Sequence, residues 1–171
     1  MEWKSVDIDF LDYMRKHEQR IPNHDYGEYS MKPFFGTLFE KGELCYITPI
    51  SSPKPRHQHM KNRMDFKKLF IGNDEFIGVV NLNYMFPVPK KYLVDVQYGN
   101  IEKYRKFQND TEKLRYIALL KKQIALINTK DFDMVAIKLY DFVEKYPMNF
   151  MSKRCLNYTE LEKLALEFSD Q

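Results

Sequence analysis

The spacing of apolar positions changes period near residue 109, from short runs broken by turn residues to a helical repeat. Trp3 to Val6 is a short apolar start that reads as a strand, and from Asp7 the spacing of Ile8, Leu11 and Met14 predicts a helix ending before Pro22. Phe34–Phe39 and Leu44–Ile50 are rich in aromatic and β-branched residues. They are separated by Glu40-Lys41-Gly42-Glu43, where Gly42 can take positive φ, so the pair reads as a β-hairpin. Strand-like runs follow at Asp65–Ile71, Ile77–Leu82, Tyr84–Pro87 and Tyr92–Val96, with Gly72-Asn73-Asp74 as a turn between the first two. Asn109, with Glu112 three residues later, marks the start of a buried helix to about Asn128. A second helix begins near Asp131, carries Phe132, Val135, Leu139, Phe142 and Tyr146 on one stripe, and stops at Pro147. A third has Thr159 and Glu162 as a capping box and Leu161, Leu164, Ala165 and Phe168 as its apolar face. Strands followed by helices, without repeat or boundary, predict a single α+β domain over residues 1–171.

Composition narrows the function classes. With 171 residues and 44% hydrophobic side chains the chain can bury a full core, and disorder is excluded. None of its six glycines forms GxGxxG or GxxxxGK[ST], which excludes dinucleotide and P-loop nucleotide chemistry. Cys45 and Cys155 allow at most one bridge, the N-terminus lacks a basic segment followed by an apolar one, and nowhere do ~18 apolar residues run together. A soluble protein of the reducing cytoplasm is expected. His57-x-His59, Cys45, Cys155, His17 and His24 show neither CxxC nor HxxxH spacing, so neither metal nor cofactor is expected.

The net charge of +3 hides segregation. Residues 51–70 carry Lys54, Arg56, Lys61, Arg63, Lys67 and Lys68 against Asp65 alone, and residues 101–130 carry eight cations against three acidic groups. Two basic bands that a fold can bring together suggest a phosphate polymer. Arg56, His57, Lys61, Arg63, Lys67 and Lys68 in the first band, with Lys113, Arg115, Lys121 and Lys122 in the second, are the candidate RNA contacts. The competing explanation for the second band is a solvated helix face.

A two-residue Lys41-Gly42 loop would set Lys32 opposite Ser51 and Tyr29 opposite Lys54 at the open end of the hairpin. That gathers a phenol, two ammonium groups and the hydroxyls of Ser51 and Ser52, with Pro49, Pro53 and Pro55 stiffening the exit. Such a set suits RNA transesterification, in which the ribose 2′-OH attacks its own 3′-phosphate and the protein positions the phosphate, moves protons and stabilises added negative charge. Lys32, Lys54 and Arg56 can stabilise that charge, and His57 is a titratable group near neutrality. Each residue also has a structural use: Ser-Ser-Pro as a strand exit, Tyr29 as a core-edge aromatic, Lys32 and Lys54 as strand-edge charges.

The stretch from Tyr29 through Lys32-Pro33-Phe34-Phe35-Gly36 to Ser51-Ser52-Pro53-Lys54 and His57 resembles the signature of the ToxN/AbiQ family, toxins of type III toxin–antitoxin systems. Tyr13-Met14-Arg15-Lys16, Arg20-Ile21-Pro22-Asn23, Gly78-Val79-Val80-Asn81-Leu82 and Met85-Phe86-Pro87 extend the likeness over roughly the first ninety residues. The resemblance implies a twisted antiparallel sheet flanked by helices, partly barrel-like and similar to MazF/Kid toxins. It implies a metal-independent endoribonuclease that leaves 2′,3′-cyclic phosphate ends, favours adenine-rich RNA, and acts in phage abortive infection or plasmid maintenance. The implied partners are cellular or phage RNA substrates and a small structured RNA antitoxin, cut from tandem repeats and assembled with the toxin as an RNA–protein hetero-oligomer.

By matching motif, the catalytic set falls on Tyr29, Lys32, Ser51, Ser52 and Lys54, with Tyr26 the alternative to Tyr29 because its interval to Lys32 is one residue shorter than in the family. Ser51 stands where the family often has Thr, and Arg56 where a member has an aromatic. The rival expectations are a non-catalytic RNA-binding module and a MazF-like RNase neutralised by a protein.

Overall fold

β4 (Leu44–Ser51) is the hub of the molecule, an apolar strand that pairs with four others along its length. The computed structural model describes residues 1–22 and 33–169. Among them the chain order is β1 (Glu2–Val6), α1 (Ile8–His17), β2 (Phe34–Gly36), β3 (Glu40–Lys41), β4, α2 (Pro55–His59), β5 (Lys67–Ile71), β6 (Glu75–Val80), β7 (Phe86–Pro89), β8 (Leu93–Asp95), α3 (Asp110–Ile127), α4 (Phe132–Lys145), α5 (Phe150–Arg154) and α6 (Tyr158–Ser169). The eight strands form an antiparallel sheet in the order β5-β6-β4-β2-β1-β8, with β3 and β7 also paired to β4. The α+β expectation, strands first and helices last, is what the chain adopts.

The hairpin forms with a different tip. Lys41 pairs with Leu44, so the loop is Gly42-Glu43, with Gly42 at φ +60°, rather than Lys41-Gly42. Farther along, Phe34 pairs with Pro49 and Phe35 with Thr48, the partners that a Lys41-Gly42 loop predicts for these positions. Two extra residues on the first strand, between β2 and β3, cancel the shift at the tip. Gly36 is required there, because a Cβ would stand 2.8 Å from Ile47 Cγ2 and 3.2 Å from Tyr46 O. Lys32, Tyr29 and Tyr26 lie outside the described residues. β4 ends at Ser51, so the expected ladder does not continue to Lys54.

Helix faces are set by burial more than by the expected stripes. On α1 the inward residues are Phe10, Leu11 and Met14, whereas Ile8 is 52% exposed; Asp7 caps the helix through the amides of Asp9 and Phe10. α3 starts where predicted, with Asn109 accepting from Glu112 N, yet it buries only one side, Leu120, Gln123 and Ile127, against β5 and β6. Gln123 Nε2 donates to Ile77 O across that contact. On α4 Phe132, Ala136, Leu139 and Val143 face inward and Tyr146 is 47% exposed. The expected Thr159/Glu162 capping box is replaced by a one-sided cap: Asn157 Oδ1 accepts from Glu160 N, Thr159 donates to Glu144, and Glu162 is turned into the core. The five-residue helices α2 and α5 are too short to show a 3.6-residue period, and the pattern did not reveal them.

Glu162 ties the helical third to the hairpin tip. Tyr46 Oη donates to its Oε1 at 2.7 Å and Lys41 Nζ to its Oε2 at 2.6 Å. Burial and the adjacent carboxylate push the Tyr46 hydroxyl far above its ordinary range, so it remains a donor. Cys45 and Cys155 are both buried and unbridged, and burial raises the Cys155 thiol to about 11. Among the described residues no helix is long and apolar enough to cross a membrane.

Candidate functional site

The end of β4 delivers Ser51 to the edge of a cleft of about 390 Å³. Ser51 pairs with Val79 on β6, and its Oγ accepts a hydrogen bond from Asn81 Nδ2 at 2.9 Å. Asn81 is itself fixed, since Thr48 Oγ1 donates to its carbonyl at 2.8 Å. With the oxygen of Ser51 already accepting, its proton is available to a phosphate oxygen.

Beyond Ser51 the chain leaves the sheet through exposed Ser52 and Pro53 and turns into α2 at Lys54. Pro55 presets the first turn of α2. His57 takes the reciprocal role usually held by Glu or Gln: Lys54 N–H donates to His57 Nδ1 at 3.1 Å while His57 N–H donates to Lys54 O at 2.8 Å. Nδ1 is thus an acceptor, which puts the proton of the neutral ring on Nε2 and makes the 3.5 Å approach of Arg56 Nε to Nε2 a contact rather than a hydrogen bond. The ring is 2% exposed and packs edge-on against Phe66. Burial first, then the cations Arg56, Lys54 and Lys68, hold its pKa below the ordinary histidine value. His57, expected as an RNA contact, has little exposure, lines an adjoining cavity and supports Lys54 from within.

The structure brings other groups to the same cleft. Arg15 and Arg20 from α1 and its exit, together with Tyr84, line it beside Ser51, Lys54, Arg56 and Asn81. Arg15 donates to Ile21 O, and Arg20 is held by both oxygens of Glu18, whose carboxyl that contact keeps below its usual range. The cleft continues through a second, of about 460 Å³, which shares Arg20, Arg56, Asn81 and Tyr84 and adds Arg154. A third, of about 550 Å³, shares Met60, Phe66 and Arg154 and adds His59, Lys61, Arg63 and Phe150. Among the described residues no Asp or Glu side chain lines any of the three. This arrangement can bind the backbone of a polyanion and present hydroxyls and an ammonium to one phosphate.

The remaining expected contacts divide. Lys61 and Arg63 are exposed in the cleft, while Lys67 and Lys68 are half-buried on β5, where Lys68 Nζ donates to Gln58 O. In the second band Lys113 pairs with Glu102, Lys122 with Glu75 at 3.5 Å, and Lys121 lies over the Tyr98 ring; Arg115 is exposed. The fold does bring the bands together, because α3 packs on β5 and β6, but carboxylates pair with Arg105, Lys113 and Lys122 of the second. Arg15, Arg20, Tyr84 and Arg154 were not expected at the site. The one local signal was Asn81, a polar residue closing the apolar run Ile77–Val80. Among the described residues no three His, Cys, Asp or Glu side chains are grouped as metal ligands.

Known proteins resemble the chain over its whole length. Residues 3–166 match the family model described as Toxin ToxN, type III toxin-antitoxin system. Two relatives, each named Endoribonuclease ToxN, are similar throughout. That of Bacillus thuringiensis subsp. kurstaki is 23% identical over 99% of this chain and 85% of its own length, and that of Pectobacterium atrosepticum is 22% identical over 100% and 95%. In three dimensions AbiQ, described as a lactococcal anti-phage endoribonuclease of a type III system, superposes with a TM-score of 0.79 at 19% identity, covering 99% of this chain and 98% of its own. A structure described as selective toxin inhibition by a non-coding RNA pseudoknot gives 0.77 at 22% identity, covering 99% and 98%. The chain belongs to the ToxN family of toxins from type III toxin–antitoxin systems.

Proposed function

We propose that this chain is an endoribonuclease toxin that cuts single-stranded, adenine-rich RNA by transesterification and is restrained by a cognate structured RNA that it processes. The observation that carries the proposal is the exposed Ser52–Lys54 segment, with Ser51 beside it, at the edge of the first of three adjoining cavities lined by cations and by no described carboxylate. In the reaction the substrate 2′-oxygen bonds to phosphorus as the bond to the 5′-oxygen breaks. The 2′-hydroxyl loses a proton and the departing oxygen gains one, leaving a 2′,3′-cyclic phosphate and a 5′-hydroxyl.

Lys54, with Lys32 carried over from the resemblance, stabilises the charge that develops on phosphorus oxygens. Ser51 donates its proton to the same phosphate, with Asn81 fixing its orientation, and Ser52 orients the phosphate or the 2′-hydroxyl. Tyr29 positions the sugar or shares in proton transfer. Arg15, Arg20 and Arg56 bind flanking phosphates. A metal-free mechanism is consistent with this set, in which ammonium and guanidinium groups supply the positive charge. The relatives' names support RNA cleavage and, for AbiQ, action against phage.

The test is substitution. Ser52→Ala and Lys54→Ala are expected to abolish cutting of an adenine-rich RNA while leaving the fold and most RNA affinity intact, because many phosphate contacts remain. Full cleavage by both variants overturns the site, and tight binding without cleavage by the wild-type chain favours a binding module.

A further inference from the structure

We propose that the far end of the cleft is a nucleobase subsite, in which a single-stranded RNA base stacks on Phe150 beside Arg154 while Lys61 and Arg63 hold its phosphates. The inference rests on the proposed reading of the site as one that takes RNA. Phe150 is 70% exposed although it is a large apolar side chain, and it lines the third cavity rather than packing into the core. The Arg154 guanidinium carbon stands 5.9 Å from its ring centre, so a flat cation already flanks the ring.

Arg154 is itself anchored. Its Nη2 is 3.0 Å from the carboxylate of Asp65, which is fully buried and lines none of the three cavities. That pair holds Arg154 where it lines both the second and third cavities, and Arg20 and Arg56 line both the first and second, so the ring and the Ser51–Lys54 rim belong to adjoining cavities. A strand whose backbone follows Arg20, Arg56 and Arg154 reaches a planar apolar face with two further cations, Lys61 and Arg63, beside it. Alternating phosphates and planar bases fit that order of groups. An acidic protein surface would meet the cations and leave the ring without a matching planar group.

The experiment measures binding in the Lys54→Ala background, so that RNA is not cut, with a labelled single-stranded oligoadenylate decamer and a hairpin duplex as probes. Phe150→Ala and Phe150→Leu are expected to weaken decamer binding about tenfold, the scale of one base on an aromatic ring. Phe150→Trp is expected to restore it to within about twofold. Duplex binding should change little, since its bases are already stacked. Equal decamer affinity for all four chains overturns the subsite and leaves the ring to a protein partner; full affinity in Phe150→Leu overturns stacking as its basis.

Cleavage is read separately with Lys54 intact. Cutting with Phe150-independent binding removes the subsite alone, and Phe150-dependent binding without cutting removes the nuclease reading alone. The base can belong to a strand being cut or to an inhibitory RNA. A fall in kcat/KM on the decamer in Phe150→Ala assigns the first. A rise in the amount of RNA co-purifying with the Lys54→Ala chain that is needed for half inhibition, without that fall, assigns the second.

Discussion

Ser51 illustrates how one amide prepares a hydroxyl: Asn81 occupies its oxygen as acceptor, so the group meets a phosphate as a donor. Asn81→Ala removes that constraint while its backbone still receives Thr48, and kcat/KM on RNA should fall by about fivefold, the value of one lost hydrogen bond of roughly 1 kcal/mol. An unchanged rate would show that the amide is structural. His57 carries a pH prediction. Its folded pKa lies below the unfolded value, so the unfolded state binds the proton more readily and stability is lost as pH falls below about 6.5. Melting temperature measured from pH 7.5 to 5 should fall less steeply in His57→Asn, whose side-chain oxygen can still accept from Lys54 N–H. At this scale the sequence showed what is contiguous in it. Ser51, Ser52 and Lys54 are near neighbours along the chain, and Ser51 and Lys54 line one cleft with exposed Ser52 between them. Arg15 with Arg20, Tyr84, and Arg154 come from three separate segments that only packing unites, and nothing local to them marked the cleft.

Among elements, the hairpin shows why a correct partner can follow from an incorrect loop. Turn residues predict a tip, but the close approach of Gly36 to Ile47 and the two extra residues after it reset the register before Phe35. Gly36→Ala would drive its Cβ into Ile47 and should cost about 1–3 kcal/mol, readable by chemical denaturation. The helices teach a similar lesson. Periodicity located α3, α4 and α6, yet Ile8 and Tyr146 lie outside the buried faces because neighbouring elements decide which arc is covered. Glu162, expected as a capping residue, serves the core instead. Glu162→Gln keeps an acceptor for Tyr46 but loses the ionic contact with half-exposed Lys41. A loss of about 1–2 kcal/mol is expected, a fall of roughly 2–8 °C in Tm, and no change would mean that the tie between hairpin and α6 carries little.

Over the whole molecule, function follows from local field rather than net charge. The two basic bands are adjacent as expected, but carboxylates answer Lys113 and Lys122 on α3 as they answer Arg20 and Arg154 in the cleft, whereas among the described residues none pairs with the cleft cations Lys54 and Arg56. Arg56→Glu should therefore weaken RNA binding and its salt dependence far more than Lys122→Glu does. If four cleft phosphates are engaged, log K should fall against log salt with a slope of about −3. Equal effects of the two reversals would return α3 to the interface. Such long-range pairing was invisible along the chain, where Lys122 and Glu75 are 47 residues apart.

The central claim is that this cleft cuts RNA through side-chain charge. Its most direct test is incubation of the purified chain with adenine-rich RNA in EDTA, chemical identification of the new ends, and a Lys54→Ala control. The account predicts undiminished cleavage that leaves 2′,3′-cyclic phosphate and 5′-hydroxyl ends and disappears in the control. Cleavage abolished by EDTA, ends bearing 3′-hydroxyl and 5′-phosphate, or a fully active Lys54→Ala chain would contradict it.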